Sequence, residues 1–104
     1  MRSIVIDDVR NIAADVVCRT YKDGLDALQT NSPFDVLYLD HDLGEMPPQD
    51  GYHIACWIET NAQQRPKKVV IVSSNPVGIM NIELALNKVY DKDYESKNTW
   101  LLKE

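Results

Sequence analysis

Apolar residues in this chain fall into short runs that stop abruptly at acids or small polar residues. Ser3-Ile4-Val5-Ile6 is β-branched and ends in Asp7-Asp8. A short, almost wholly apolar run of that kind fits a buried strand. Val16-Val17-Cys18-Arg19 reads as a second strand, and residues 9 to 15 between the two as a weak helix or a loop. Thr20 then precedes Tyr21, Leu25 and Leu28, an i, i+4, i+7 stripe. The stripe predicts a helix with Thr20 as N-cap and Asp23 in its first turn, ended by Asn31-Ser32-Pro33. Phe34-Asp35-Val36-Leu37-Tyr38-Leu39 is the most strand-like segment and runs into Asp40-His41-Asp42-Leu43-Gly44.

After a loop carrying Pro47 and Pro48, Asp50-Gly51 opens a helix whose inward positions are Ile54, Ala55, Ile58 and Ala62. Asp50 is its natural cap. Lys67-Lys68 leads into Val69-Val70-Ile71-Val72, a fourth strand that reaches Ser73-Ser74-Asn75. Pro76 suits the first position of another helix, where its missing N–H is not needed. Ile79, Ile82, Leu86 and Val89 line one face of that helix. From Tyr90 the chain is polar until Trp100-Leu101-Leu102, read as a short edge strand or a packed end.

Strands alternating with helices predict an α/β fold of three layers, α/β/α, with a short parallel sheet covered by helices on both faces. The length of 104 residues suits a single domain, with a core over about 3–89 and a tail over 90–104. In such folds the ligand site lies beyond the carboxyl ends of the strands. Asp7, Asp8, Asp40, His41, Asp42, Ser73, Ser74 and Asn75 all follow predicted strand ends.

Composition narrows the function. The net charge is −5, from 11 basic and 16 acidic residues, which argues against a general DNA binder and an electrostatic membrane anchor. No apolar run is long enough for a membrane span, and the first residues run straight into acids, unlike a signal peptide. A cytoplasmic location is the expectation. Cys18 and Cys56 sit apart in apolar stretches and are read as free thiols of a reducing compartment. Tyr52, Trp57, Met80 and Trp100 are read as packing residues. There is neither a GxSxG turn nor a P-loop.

Carboxylates crowded at a sheet edge repel one another, and a hard cation relieves them. Asp7, Asp8 and Asp40 are therefore read as ligands for Mg²⁺ or Mn²⁺. Loop or helix capping is the competing use of these acids, above all for Asp8 and Asp42. Ser73-Ser74-Asn75-Pro76-Val77-Gly78 is a strand-to-helix turn suited to a phosphate, with Ser73, Ser74, Asn75 and Gly78 as the binding groups. Simple capping by Ser74 or Asn75 uses the same spacing. Arg10 is placed to reach a phosphate, with a surface ion pair as its other role. His41, between Asp40 and Asp42, is a candidate acid or base, or a loop anchor.

This layout resembles a response-regulator receiver, a flavodoxin-like fold. Asp7-Asp8 matches the acidic pair after the first strand, Asp40 the phosphoacceptor, Met46-Pro47-Pro48-Gln49-Asp50-Gly51 the MPxxDG element, and Ser73 or Ser74 the hydroxyl after the fourth strand. A fifth strand bearing a lysine does not emerge. Lys88 and Lys92 stand near the right distance with no apolar run before them, and the usual last helix is missing. The chain is more similar to a narrower group, the cyclic-phosphate-processing receiver-like domains of bacteria and phages. Ile6-Asp7-Asp8-Val9-Arg10, Leu39-Asp40-His41-Asp42-Leu43-Gly44, Asp50-Gly51-Tyr52 and Asn75-Pro76-Val77-Gly78 carry that resemblance over residues 4 to about 88. Many members place a histidine-serine pair before NPVG, where this chain has Val72-Ser73.

The resemblance implies a truncated receiver-like domain that processes a cyclic phosphate of a nucleotide or an RNA end, as in RNA repair. Asp40, His41 and Asp42 are then the expected catalytic residues, and Mg²⁺ or Mn²⁺ the cofactor. A signalling receiver phosphorylated on Asp40 and a non-catalytic nucleotide- or partner-binding protein are the alternatives.

Overall fold

A computed structural model describes residues 1–103. The elements run β1 (Ser3–Ile6), β2 (Val16–Cys18), α1 (Tyr21–Asn31), β3 (Val36–Leu39), α2 (Gly51–Thr60), β4 (Lys68–Ile71), α3 (Pro76–Leu86), β5 (Tyr90–Asp93) and β6 (Thr99–Leu102). The sheet order is β2-β1-β3-β4-β6-β5. β2, β1, β3 and β4 are parallel, and β6 is antiparallel to both β4 and β5. No helix among the described residues is long and apolar enough to cross a membrane.

The helix starts follow from local chemistry. The Thr20 hydroxyl accepts from Asp23 N, Asp50 from His53 N and Asn75 from Gly78 N, so each helix has a side-chain cap. Ala62 lies beyond the end of α2, in a short 3₁₀ turn over Ala62–Gln64, and is exposed.

Residues paired across a sheet share a face. Ile4, Ile6, Leu37, Leu39, Val69 and Ile71 form one face, packed in one core with Leu28 of α1, Ile54 and Ile58 of α2, and Ile82 and Leu86 of α3. All three helices therefore lie on that face. The α/β receiver-like class stands, but helices on both faces do not. Right-handed crossovers explain the asymmetry. β2 to β3 and β3 to β4 step in one direction across the sheet, whereas β1 to β2 steps in the other. Only that first crossover belongs on the second face. Residues 7–15 hold fewer positions than the dozen or so of a helical crossover, and they run without helix. Val17 and Leu101, on the second face, are 49% and 42% exposed.

Residues 90–103 are not a tail outside the core. Tyr90 and Trp100 are buried in it, so the core extends past residue 89. Trp100-Leu101-Leu102 is not an edge strand either: β6 lies between β4 and β5. β5 was hidden because Asp91, Lys92 and Asp93 read as solvated chain, and an edge strand tolerates such charges.

Candidate active site

Parallel pairing sets the acids level with one another. Ile6 is in register with Leu39, and Leu39 with Ile71. The ladder continues one residue further, with Asp40 N donating to Ile6 O and Val72 N to Leu39 O, each at 3.0 Å. Asp7 and Asp40 thus stand side by side at the carboxyl edge, with Ser73 just beyond β4. The backbone leaves no room for error at Gly51. A Cβ there would lie 2.0 Å from the Asp40 carbonyl oxygen, so only glycine lets α2 begin directly on the Asp40-His41 chain. Gly51 N also donates to His41 O at 2.8 Å. Gly44 takes a left-handed φ of 69° close to Asp8, a conformation that glycine adopts without strain.

Asp7, Asp8 and Asp40 each offer an oxygen within 4.8 Å of the others. Asp7 and Asp40 are buried and Asp8 is half-buried. Asp7 Oδ1 accepts from the N–H groups of Val9 and Arg10 at 3.0 Å each, and its Oδ2 meets Arg10 Nη1 at 3.1 Å. The same nitrogen lies 3.2 Å from Asp40 Oδ2. Burial opposes ionisation of Asp7, but the Arg10 and Val9 N–H groups and the Arg10 guanidinium outweigh it and hold the carboxyl below its ordinary range. For Asp40 burial wins. Together with the Asp7 charge it pushes the carboxyl up, against the pull of Arg10 and the Asp42 N–H. Of the two roles expected for Arg10, a phosphate contact or an ion pair, the structure shows an ion pair, made with two acids of the site.

A second network adjoins the first. His41 Nδ1 is 2.9 Å from Asp42 Oδ1, and Asn75 Nδ2 donates to Asp42 Oδ2 at 3.3 Å. The His41 contact, with a lesser share from Asn75, holds Asp42 below its ordinary range against the opposing effect of desolvation. Asn75 Oδ1 accepts from Gly78 N at 3.1 Å, so one side chain both caps α3 and steadies Asp42. The Gly78 N–H is therefore spent on the cap, and this residue matters through space instead. A Cβ there would fall 2.4 Å from His41 Cγ, so the missing side chain is the seat of the imidazole. Ser73 Oγ accepts from Asn75 N at 3.0 Å, and Ser74 is exposed. Ser73 and Asn75 thus serve the turn.

Sequence reasoning missed one supporting residue. Arg19, just past β2, donates through Nη1 to Asp7 O at 3.1 Å and to Arg10 O at 2.7 Å. Nothing in its neighbourhood in the chain signals this, because the partners come from the preceding loop.

A parallel sheet that delivers an acidic pair, a buried acid and a hydroxyl turn to one edge defines a receiver-like domain. The model of the family described as "cyclic-phosphate processing receiver domain" matches residues 2–88, and the chain belongs to that family. No curated protein matches it.

Proposed function

We propose that this chain is a divalent-metal-dependent phosphoesterase that acts on a cyclic phosphate of a nucleotide or an RNA end. The observation that carries the reading is the meeting, at one sheet edge, of three carboxylates close enough to share an ion and a His41–Asp42 pair beside them. Family membership supplies the cyclic phosphate. Asp7, Asp8 and Asp40 fit a hard ion: their donors are all oxygens, and of the three acids two share the Arg10 guanidinium. A bound Mg²⁺ or Mn²⁺ would supply Lewis-acid polarisation of phosphoryl oxygens and lower the pKa of water.

The chain's own groups do the rest. Asp42 fixes the imidazole through Nδ1, which leaves Nε2 of His41 to take a proton from water or return one to the leaving oxygen. The Ser73 and Ser74 hydroxyls and the Val77 N–H at the start of α3 receive phosphate oxygens, favoured by the positive end of the helix. A signalling role for Asp40 is less well supported. Lys92 lies on the edge strand β5, 3.4 Å from Glu83 of α3, and the cation at Asp40 is Arg10.

The test is hydrolysis of 2′,3′-cyclic and 3′,5′-cyclic nucleotides and of RNA ending in a cyclic phosphate. Turnover should require Mg²⁺ or Mn²⁺, stop with chelator, and be lost in Asp40→Asn. His41→Ala should lower it by about 10²- to 10⁴-fold. Metal binding without turnover on any of these substrates would leave a binding protein. A stable phosphoryl adduct on Asp40 after treatment with acetyl phosphate would favour signalling.

A further inference from the structure

We infer that Arg10 is a built-in counter-cation of the acidic site, which a divalent ion must displace. The inference rests on the metal reading above and concerns what that reading leaves out. A single nitrogen, Arg10 Nη1, touches Asp7 Oδ2 at 3.1 Å and Asp40 Oδ2 at 3.2 Å. An ion held by these two buried acids would compete with that nitrogen for them. Asp7 Oδ1 is already committed to two backbone N–H groups, so Oδ2 is the oxygen left for a cation. A Mg²⁺ ion holds its oxygens at about 2.0–2.1 Å, and it cannot share that gap with a guanidinium nitrogen. Arginine and ion are therefore alternatives at this point.

The surrounding structure allows the exchange without unfolding the loop. The Arg10 side chain is 35% exposed, so it has solvent beside it. Its backbone is held at both ends of the residue: Arg10 N donates to Asp7 Oδ1, and Arg19 Nη1 donates to Arg10 O. Only side-chain torsions need to change. Asp8 then completes the donor set from the half-buried rim. Without an ion, the guanidinium keeps two buried carboxylates from facing each other unscreened. With an ion, the guanidinium is released at the mouth of the site as a free positive group beside bound anions. The same residue thus limits metal affinity and ties metal binding to the charge presented to substrate.

Calorimetric titration of the metal-stripped full chain with MgCl₂ and MnCl₂ tests this, with wild type compared to Arg10→Gln and Arg10→Lys. Arg10→Gln should bind the ion about ten- to a hundredfold more tightly, the factor that one charge-assisted hydrogen bond represents. It should also melt lower than wild type in chelator and show a larger rise with metal. Arg10→Lys, which keeps the charge, should stay closer to wild type. Equal or weaker binding by Arg10→Gln, with wild type still binding, overturns this inference and leaves the metal reading intact. No binding by either protein overturns both. Should Arg10→Gln not fold in chelator, side-chain NMR of wild-type Arg10 decides. Its guanidinium signals should shift on addition of Mg²⁺, and unchanged signals at saturation would overturn the exchange.

Discussion

Gly78 shows how much of the site depends on an atom that is not there. Alanine would gain helix propensity, on the order of 0.5–1 kcal/mol. Its Cβ would also sit 2.4 Å from His41 Cγ and 2.8 Å from His41 Cβ, atoms at the base of that side chain which rotation alone does not clear. The expected outcome for Gly78→Ala is a net loss of stability together with a displaced imidazole. Melting should fall, and the contact between His41 Nδ1 and Asp42 should be lost. NMR of the imidazole nitrogens checks this, and an unmoved ring would show that α3 yields instead. Gly51→Ala should be worse, because the obstacle is the Asp40 backbone itself at 2.0 Å. It should cost about 3 kcal/mol or more in denaturant unfolding, the upper range of overpacking.

Asp7 and Asp40 pull the pH dependence of the metal-free protein in opposite directions. Asp7, held low, contributes stability that is lost as pH falls through its folded pKa. Asp40, pushed up, binds its proton more tightly when folded, so its contribution is lost as pH rises through the folded pKa. Asp40→Asn should therefore be more stable than wild type at neutral pH in chelator, and the gap should close in acid. Urea midpoints across pH 3 to 8 measure it; a wild type more stable at neutral pH would contradict this account of Asp40. The acids themselves were legible in the sequence, because Asp7 and Asp40 each end an apolar run. The inward turn of Arg10 was not, since chain position does not fix which way a long side chain points.

At the scale of elements, caps and apolar spacing reveal the three helices, and alternation reveals the four parallel strands. β5 escaped because Asp91, Lys92 and Asp93 read as solvated chain, whereas Trp100-Leu101-Leu102 of β6 is legible as a short strand or packed end; Tyr90 and Trp100 anchor the hairpin in the core. Trp100→Ala should cost about 3–5 kcal/mol, as for other large buried aromatics. The Trp100 Nε1 group is buried and has no hydrogen-bond partner among the described residues. Trp100→Phe removes that unpaired donor and should cost clearly less than alanine. Equal losses for the two, in thermal or urea unfolding, would mean that the indole N–H has a partner in solution.

For the molecule as a whole, the order of the strands in space differs from the order in which they are made. β4 delivers Ser73 and Asn75 to the site, and its outer edge pairs with β6. That partner is the last strand of the described chain, and it comes after the full length of α3 and β5. On the ribosome, every residue of the proposed chemistry has therefore been synthesised while one side of β4 still lacks its neighbour. Assembly of the site waits on Trp100 and its strand rather than on the acids, so a nascent chain stalled before residue 99 should carry the whole acidic set and yet hold no ordered pocket.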